Sequence, residues 1–444
     1  MSNMIVELSK YFMIILIAFY TLHCFIVFRY SNEEDRSGFY IGQNIFMFLI
    51  HFLGFLVLCF QTGDKSLILF YGIQQVMMFA VIMLYRILYP HSNRLIVNNM
   101  CMLLSISFII LTRLSYDKSV KQFKIVLASL LLSFLLLYFV SRMEIVKKLT
   151  WLWGGIGIFS LAAVMVLGSV TNGSKISYRL FGFTFQPSEF VKIIFVFFVA
   201  GMFTESVSLI QVITATMIAG AHVVILVLSK DLGSALIFFV VYVVMLYVGT
   251  KKPIYLLAGF GAGFIAALVG YRLFPHVQTR VTAWRDPYSV IEGQGYQISQ
   301  SLFSIGTGGW FGMGLYEGSP EKIPVVEADF IFSAISEEMG CLFGLCVILI
   351  CISNFLMFMN IAMRIRDTYY RLVAVGLASI YGFQMFLTIG GVTKFIPLTG
   401  VTLPLVSYGG TSVLVTVIMF SIIQGIYIRR EMIPVSKKDV SGDI

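Results

Sequence analysis

The sequence predicts an all-α polytopic membrane protein, and three observations support this fold class. Of the 444 residues, 59% are apolar and only 12% are charged, and the mean hydropathy is +0.91. This composition is typical of a chain that uses lipid as its solvent. Apolar runs of about 20 residues, long enough to cross a hydrocarbon core of about 30 Å, recur along nearly the whole chain. Their length favours helices over barrel strands, in which polar and apolar residues would alternate.

We predict about thirteen membrane spans from these runs. They fall near residues 11–29, 41–61, 66–88, 97–112, 124–140, 151–169, 188–204, 207–228, 232–249, 254–273, 329–358, 371–391 and 410–428. The first run is interpreted as a retained span because no small-residue cleavage site follows it.

The cysteines and histidines do not indicate a metal site. All six cysteines lie in apolar runs without a C-x-x-C spacing, which favours a packing role, and the five histidines include no H-E-x-x-H pair. A zinc hydrolase is therefore not predicted. The sequence also contains no Walker or dinucleotide-binding fingerprint, so no nucleotide cofactor is expected.

The formal net charge of +9 is distributed as in cytoplasmic loops rather than as in a nucleic-acid-binding patch. If the end after residue 428 lies inside, most basic residues of the short loops are inside as well. The main exceptions are Arg113, Lys118, Lys121 and Lys124. This orientation predicts an extracellular amino terminus, an extracellular loop at 274–328, a cytoplasmic tail at 431–444, and no nucleic-acid partner.

The loop at 274–328 is the longest polar stretch and is rich in glycine. Loops of this length are uncommon unless they are functional or disordered. Interleaved aromatic residues, including Trp284 and Trp310, argue against disorder. The pattern predicts a packed lid at the membrane interface, with a purely structural loop as the alternative.

Glu189 and Lys192 stand near the start of one predicted span, after Gln186 and Pro187. Proline suits the first turn of a helix, and a spacing of three residues puts both charges on one helical face. Because ionisable groups in a membrane are costly, the pair is expected to point into the bundle or a wet cavity. It is either a structural ion pair or a contact to substrate.

Two further segments combine charge with small residues or prolines. Lys230 and Asp231 precede Leu232-Gly233, where Asp231 could simply cap the next helix. Residues 394–412 contain Pro397, Pro404 and several glycines, which predicts a broken helix or re-entrant backbone lining a cavity.

Asp329 is the most suggestive acid because it lies where the polar loop turns into a long apolar helix. A carboxylate at a helix start is stabilised by backbone N–H groups, so an N-terminal cap is the alternative to a catalytic role. Glu337 and Glu338 follow within the same predicted span, and intramembrane acids are functional candidates.

Read together, these segments resemble the SEDS family (shape, elongation, division and sporulation), which includes FtsW, RodA and SpoVE. The resemblance runs from about residue 97 to 430. It rests on Asn172-Gly173, Gln186 to Lys192, Asp231-Leu232-Gly233, Arg280-Val281, Asp286-Pro287, Gly295-Tyr296-Gln297, Gln300-Ser301, Gly306 to Gly309, Asp329 to Phe332, Glu337-Glu338 and Pro397 to Ser412.

The resemblance implies a ten-helix SEDS-like core at 96–430, preceded by about three additional N-terminal transmembrane helices at 1–95. It implies a peptidoglycan glycosyltransferase of the bacterial plasma membrane that polymerises lipid II and works with a class B penicillin-binding protein. In the family an acid matching Asp329 is the catalytic residue, and Glu189 and Lys192 match a polar pair in the central cavity. Arg280, Lys394 and Ser407 are further expected substrate contacts.

Two departures from the family pattern imply either altered substrate handling or reduced activity. The family commonly has His-Thr before the acid, where this chain has Glu327-Ala328, and it commonly has a Trp ahead of the Gln-Pro-Ser-Glu motif, where Lys175 to Arg179 contain none.

The expected mechanism uses Asp329 as a general base at the acceptor hydroxyl. Arg280 or Lys394, or a bound divalent cation such as Mg²⁺ or Mn²⁺, would stabilise the pyrophosphate leaving group. Two alternatives remain open: a flippase that transports the same lipid-linked precursor, and an inactive scaffold for a penicillin-binding protein.

Overall fold

The computed structural model describes residues 2–30, 32–140, 144–171, 174–180, 183–204 and 207–432. Within these residues the chain forms seventeen α-helices and one three-stranded antiparallel sheet. The all-α membrane fold class is therefore confirmed, with a small sheet that the sequence did not predict. Asn172-Gly173 and residues 433–444 of the predicted tail lie outside the described residues.

Three long apolar helices begin the chain: α1 (Ser2–Ile26), α2 (Glu33–Thr62) and α3 (Ser66–Leu88). Helix α2 ends at Gly63, whose φ of 67° is left-handed and whose N–H donates to the carbonyl of Cys59. Helix α1 packs against α2 along its length.

Helix α4 (Arg94–Leu114) is the central helix, because every side chain from Leu95 to Thr112 is buried. Its Asn99 accepts a hydrogen bond from the Tyr20 hydroxyl of α1 at 3.0 Å. The same amide donates to Ser353 Oγ and Asn354 Oδ1, at 2.8 and 3.1 Å. Buried polar groups need such partners, so this network fixes the N-terminal helices against the rest of the bundle.

The next part of the chain contains the sheet. Helices α5 (Tyr116–Val140), α6 (Glu144–Lys148) and α7 (Thr150–Leu167) are followed by β1 (Ser169–Thr171), β2 (Ser174–Leu180) and β3 (Phe183–Phe185), and then by α8 (Pro187–Met202). The strands pair in the order β1-β2-β3, with Ser169 opposite Ser177 and Tyr178 opposite Phe185. The carbonyl of Thr184 accepts a hydrogen bond from Thr411 Oγ1 at 2.9 Å, which joins the sheet to the last helix.

The second half continues with α9 (Leu209–Leu228), α10 (Leu232–Thr250) and α11 (Pro253–Leu273). The predicted outer loop at 274–328 contains two helices, α12 (Pro275–Arg285) and α13 (Tyr296–Gly308). The chain then forms α14 (Ile331–Glu338), α15 (Cys341–Met363), α16 (Thr368–Val392) and α17 (Gly410–Met432).

The prediction of one continuous span at 329–358 is wrong. Helix α14 ends at Glu338, and α15 starts only after Gly340, which has a φ of 92°. A Cβ at Gly340 would collide with the backbone of the segment from Trp310 to Gly312. The apolar run thus breaks because the outer loop packs against its backbone at that point.

Twelve of the described helices are long and apolar enough to cross a membrane, namely α1 to α5, α7, α9 to α11 and α15 to α17. Helix α8 occupies the remaining predicted span but has only 16 residues, fewer than the roughly 20 that a span requires. It also carries the charged pair Glu189 and Lys192. The chain is therefore a multi-pass membrane protein with one short, charged helix inside the bundle.

The N-terminal helices also support the outer loop. From α1, Lys10 Nζ donates to the carbonyl of Gly312 at 3.2 Å, and the ring centroids of Tyr11 and Phe311 lie 5.6 Å apart. From α2, Gln61 Nε2 donates to Glu317 Oε1 at 3.3 Å. The loop is joined in turn to α14 through the N–H groups of residues 313 and 314, which donate to the carbonyls of residues 337 and 338. We refer to residues 309–318 as the braced segment.

Replacing Lys10 by Met together with Tyr11→Ala should loosen the braced segment, because both changes remove its contacts to α1. We expect faster amide hydrogen exchange at residues 309–318, with exchange in α16 unchanged. Lys65→Met, in the loop between α2 and α3, is the control. Unchanged protection of the braced segment in the double variant would mean that α1 does not hold it.

Candidate active site

A cavity of about 900 Å³ opens between α5, α8, α10, α12, the start of α17 and the non-helical segment 393–409. Six of its lining residues carry acidic or basic side chains: Lys124, Glu189, Lys230, Asp231, Arg280 and Asp329. The structure therefore brings together three of the predicted site residues, Glu189, Arg280 and Asp329.

Helix α8 positions the charged pair. Gln186 precedes the helix and Pro187 forms its first turn, as predicted from the sequence. Lys192 Nζ donates to Glu189 Oε1 at 2.9 Å and to Gln384 Oε1 at 2.9 Å. Only Glu189 lines the cavity, whereas Lys192 lies behind it and is 1% exposed. The lysine therefore supports the cavity wall from the protein interior.

Asp231 caps α10 and also faces the cavity. Its Oδ1 accepts from the N–H of Ser234 at 3.1 Å, and its Oδ2 lies 3.4 Å from both Ser188 Oγ and Gln186 Nε2. Burial raises the pKa of Asp231, and the hydrogen bonds from Ser234 oppose that rise. The predicted capping role is present, and the same carboxylate joins α8 to α10.

Asp329 lies just before α14 and does not cap it. The capping position is Phe330, whose carbonyl accepts from the N–H of Ser333 at 2.9 Å. Gly400 has a φ of 71°, and a Cβ built on it would lie 3.5 Å from Asp329 Oδ2. The carboxylate thus points into the cavity toward the non-helical segment.

The electrostatic surroundings of Asp329 suit a base. Burial raises the pKa of Asp329 to about 6, the positive charge of Arg280 opposes the rise, and the negative charge of Glu327 adds to it. A pKa near 6 leaves the group mainly ionised at neutral pH while making it a better proton acceptor than an ordinary aspartate.

Arg280 is held on the inner face of α12. Its Nη1 donates to the carbonyl of Leu398 at 3.0 Å, and Trp284, one turn later, donates to the carbonyl of Lys394 at 3.1 Å. These bonds fix α12 against the non-helical segment. The guanidinium therefore remains in the cavity wall, close enough to influence Asp329.

Lys394 and Ser407 lie outside the cavity lining. Ser407 is 1% exposed, its hydroxyl donates to the carbonyl of Ala328 at 2.5 Å, and it accepts from the N–H of Leu403 at 2.9 Å. With its hydroxyl committed in this way, Ser407 positions the residue before Asp329 instead of contacting substrate. The backbone carbonyl of Lys394 accepts the hydrogen bond from Trp284 and so helps to hold α12 against the non-helical segment.

Glu337 and Glu338 also serve the loop and do not line the cavity. Glu338 is 1% exposed and accepts from Arg113 Nε at 2.8 Å. Glu337 Oε1 accepts from the N–H of Ser319 at 2.9 Å. Both acids join the end of α14 to the outer loop.

The profile of the family described as "Cell cycle protein", which covers FtsW, RodA and SpoVE, matches residues 88–431 of this chain. The chain belongs to this family. The predicted SEDS resemblance is thereby confirmed, and α1 to α3 lie essentially outside the matched range.

Two curated members of the FtsW/RodA/SpoVE family show how similar this chain is to its relatives. The peptidoglycan glycosyltransferase RodA of Mycobacterium tuberculosis (strain ATCC 25618 / H37Rv) is 39% identical over 272 residues, which is 57% of this chain and 58% of the relative. Stage V sporulation protein E of Bacillus subtilis (strain 168) is 32% identical over 290 residues, which is 62% of this chain and 78% of the relative. The chain thus spans little more than half the length of the RodA relatives.

Solved structures show the same fold. A chain of a peptidoglycan synthase complex, solved for the structural coordination of polymerization and crosslinking, aligns with a TM-score of 0.65 and 24% identity, over 77% of this chain and 99% of that chain. The rod shape determining protein RodA of Thermus thermophilus aligns with a TM-score of 0.58 and 23% identity, over 76% of this chain and 96% of that chain.

The sequence analysis did not predict that Lys124 and Lys230 line the cavity. A signal for Lys124 was present, because it is one of four basic residues that depart from the predicted inside bias. Two of the others are paired: Arg113 contacts Glu338, and Lys118 forms an ion pair with Glu327.

The divalent cation stays a prediction, because Mg²⁺ is commonly held by one or two carboxylates together with substrate phosphates, and Asp231 and Asp329 both line the cavity. Among the described residues, no group of three or more His, Cys, Asp or Glu side chains is arranged to hold a metal ion. Glu189 is already paired with Lys192, and Asp231 already caps α10. Positive charge in this cavity is supplied by arginine and lysine.

Neutralising either member of the Glu189–Lys192 pair alone should destabilise the protein more than neutralising both. A buried ion that loses its partner typically costs about 3–5 kcal/mol, whereas removing both charges avoids that cost. Thermal unfolding of Glu189→Gln, Lys192→Met and the double variant measures this.

The pair Glu33 and Arg36, whose glutamate is exposed, has the same spacing and provides the control cycle, with an expected coupling below about 1 kcal/mol. Additive effects of the two changes at positions 189 and 192 would show that these charges are not coupled.

Proposed function

We propose that this chain is a peptidoglycan glycosyltransferase of the bacterial plasma membrane that polymerises lipid II into glycan strands during cell division, elongation or sporulation. The observation that carries the proposal is Asp329, an uncommitted carboxylate with a pKa near 6 that faces a 900 Å³ cavity beside Arg280. The name peptidoglycan glycosyltransferase, which the RodA relatives carry, supports the same activity.

The reaction follows from these groups. A hydroxyl of the acceptor sugar attacks the anomeric carbon of the donor, and the bond from that carbon to the phosphate oxygen breaks. Asp329 accepts the hydroxyl proton, and the lipid pyrophosphate leaves with the electron pair. Because pyrophosphate is a good leaving group, a second carboxylate of the glycosidase kind is not required.

The cations of the cavity suit the leaving group. Arg280 is fixed by its bond to Leu398, and Lys124 and Lys230 line the same space. Preorganised positive charge stabilises negative charge that develops in the transition state. Lys394, the alternative expected from the sequence, lies outside the lining, so Arg280 is assigned this role.

The partner is proposed to be a class B penicillin-binding protein, which would crosslink the strands. A solved structure with the same fold belongs to a peptidoglycan synthase complex, which supports this pairing.

A flippase for the same lipid is the second candidate, because the non-helical segment 393–409 and the buried charge of Lys192 resemble features of transport sites. Purified protein in vesicles distinguishes these functions. Polymer formation from lipid II supports the glycosyltransferase, and scrambling of labelled lipid without polymer supports the flippase. An inactive scaffold would do neither.

Replacing Asp329 by Asn should lower lipid II polymerisation about 10²- to 10⁴-fold, the contribution of general base catalysis. Asn has nearly the same size as Asp, and α14 does not depend on residue 329 for capping. The melting temperature of the variant should therefore be close to that of the wild type. Glu321→Gln, an exposed acid of the same outer loop, is the matched control. Polymerisation near the wild-type rate by a folded Asp329→Asn protein would remove Asp329 from the mechanism.

The polymerisation rate should rise with pH through about 6. Because burial favours the neutral acid, the basic form of Asp329 is lost as the pH falls below its pKa of about 6. Below that value the rate should fall about tenfold per pH unit, and above pH 7 it should level off. Initial rates between pH 5 and 8 test this, and a flat profile from pH 5 to 7 would exclude a base with this pKa.

A further inference from the structure

Two arginines lie close together at the end of the bundle opposite the outer loop. Arg86 is in the last turn of α3, and Arg94 is the first residue of α4. At the other end of α4, Arg113 donates to the carbonyl of Gly318 in the braced segment at 3.3 Å. Helix α4 therefore runs from the outer loop to the opposite membrane surface, which the charge distribution predicts to be cytoplasmic.

The side chains of Arg86 and Arg94 are partly buried, and neither forms a hydrogen bond or an ion pair with any residue that the structure describes. Arg94 lies close enough for its positive charge to act on Arg86. Two like charges that are partly shielded from water repel each other. An anion bound between the two guanidinium groups would remove this repulsion and accept charge-assisted hydrogen bonds from both.

The acid whose charge reaches this region is already engaged. The charges of Glu33, Arg36 and Arg94 all act on Tyr40 of α2, which places them in one neighbourhood. Glu33 pairs with Arg36 at 3.2 Å. Arg86 and Arg94 thus add two positive charges beside a pair that is already balanced.

Protein contacts hold the backbone on both sides of the connecting turn, residues 89–93. The hydroxyl of Tyr89 donates to the carbonyl of Phe134 at 2.7 Å, which fixes the end of α3 against α5. Asn93 donates its N–H to Gln424 Oε1 and accepts from Gln424 Nε2, both at 2.8 Å, which fixes the start of α4 against α17. A ligand would therefore meet two charges whose positions are already set.

An apolar surface continues from the arginine pair into the membrane. Met83 and Phe79 lie three and seven residues before Arg86, on the same face of α3. Phe79 is exposed, and so is Ile87 beside the arginine. Positive charge at the membrane surface, next to an exposed apolar helix face, matches the two parts of a phospholipid: a phosphate headgroup and acyl chains.

We propose that Arg86 and Arg94 bind the headgroup phosphate of an anionic phospholipid, such as phosphatidylglycerol, from the cytoplasmic leaflet. A free anion would match the charge of the two arginines but not the apolar face beside them. Because Arg86 belongs to α3 and Arg94 to α4, the lipid joins the additional N-terminal helices to the family core. The site lies at the other end of the bundle from the cavity and does not depend on the proposed activity.

Native mass spectrometry of the purified full-length protein tests the site, with equal amounts of phosphatidylglycerol and phosphatidylcholine added in a neutral detergent. The wild type should retain phosphatidylglycerol in preference to phosphatidylcholine. Arg86→Gln and Arg94→Gln should each weaken phosphatidylglycerol binding about tenfold, and the double variant about a hundredfold, because each change removes a charge-assisted hydrogen bond.

Arg364→Gln is the matched control, because it removes an exposed arginine from the loop between α15 and α16 at the same end of the bundle. It should leave the preference for phosphatidylglycerol unchanged. The double change of Arg86 and Arg94 to Lys keeps both charges and should retain most of the preference, which separates loss of the site from misfolding. An equal preference in the wild type and the double Gln variant, or no preference in the wild type, would overturn the proposal.

Thermal unfolding separates a lipid from a free phosphate. Phosphatidylglycerol added to the delipidated wild type should raise the melting temperature, because a ligand that binds only the folded state stabilises it. The rise should be smaller in the double Gln variant, and sodium phosphate at the same concentration should produce none. An equal rise with sodium phosphate would assign the two arginines to a soluble anion and exclude the lipid.

Discussion

Backbone without helical hydrogen bonds can lie among membrane helices only where other groups satisfy it, and residues 393–409 meet this condition. Gln384 and Thr388 of α16 donate to the carbonyls of residues 402 and 401, at 3.0 and 2.9 Å. Arg280 and Trp284 of α12 donate to residues 398 and 394, and Gln122 of α5 donates to the carbonyl of residue 407. Three helices therefore hold the segment that forms one wall of the cavity, and the position of the site depends on these bonds.

The buried lysine of α8 belongs to the same framework. Lys192 binds Gln384 Oε1, which leaves the amide Nε2 of Gln384 to donate to Thr402. The charge thus fixes the orientation of an amide that supports the non-helical segment, while Glu189 balances it. A buried ion pair contributes little net stability in general, so its value here lies in specifying one arrangement of polar groups.

The sequence identified charged residues in apolar segments as site candidates, because a charge in a membrane is energetically costly unless it serves a function. Asp329 and Glu189 lie at the starts of apolar runs, and both line the cavity. Ser407 and Lys394, both in the re-entrant segment, were expected as substrate contacts but do not line the cavity. The side of a non-helical backbone that faces a cavity depends on tertiary hydrogen bonds, which sequence periodicity does not reveal. The break at Gly340 was missed for a related reason, because only contact with the distant segment 310–312 requires it. The membrane fold followed from composition and from the length of the apolar runs, since lipid permits few other structures.

The Glu327-Ala328 departure from the family pattern is accommodated by contacts of this chain. The carboxylate of Glu327 pairs with Lys118, and its carbonyl accepts from the N–H of Tyr408 at 2.7 Å. Burial raises the pKa of Asp329 more than the negative charge of Glu327 does. Lys118 was one of the basic residues that contradicted the inside bias of positive charge. Its partner is the acid that stands where the family commonly has His, so the two sequence anomalies are the two halves of one ion pair beside the proposed base.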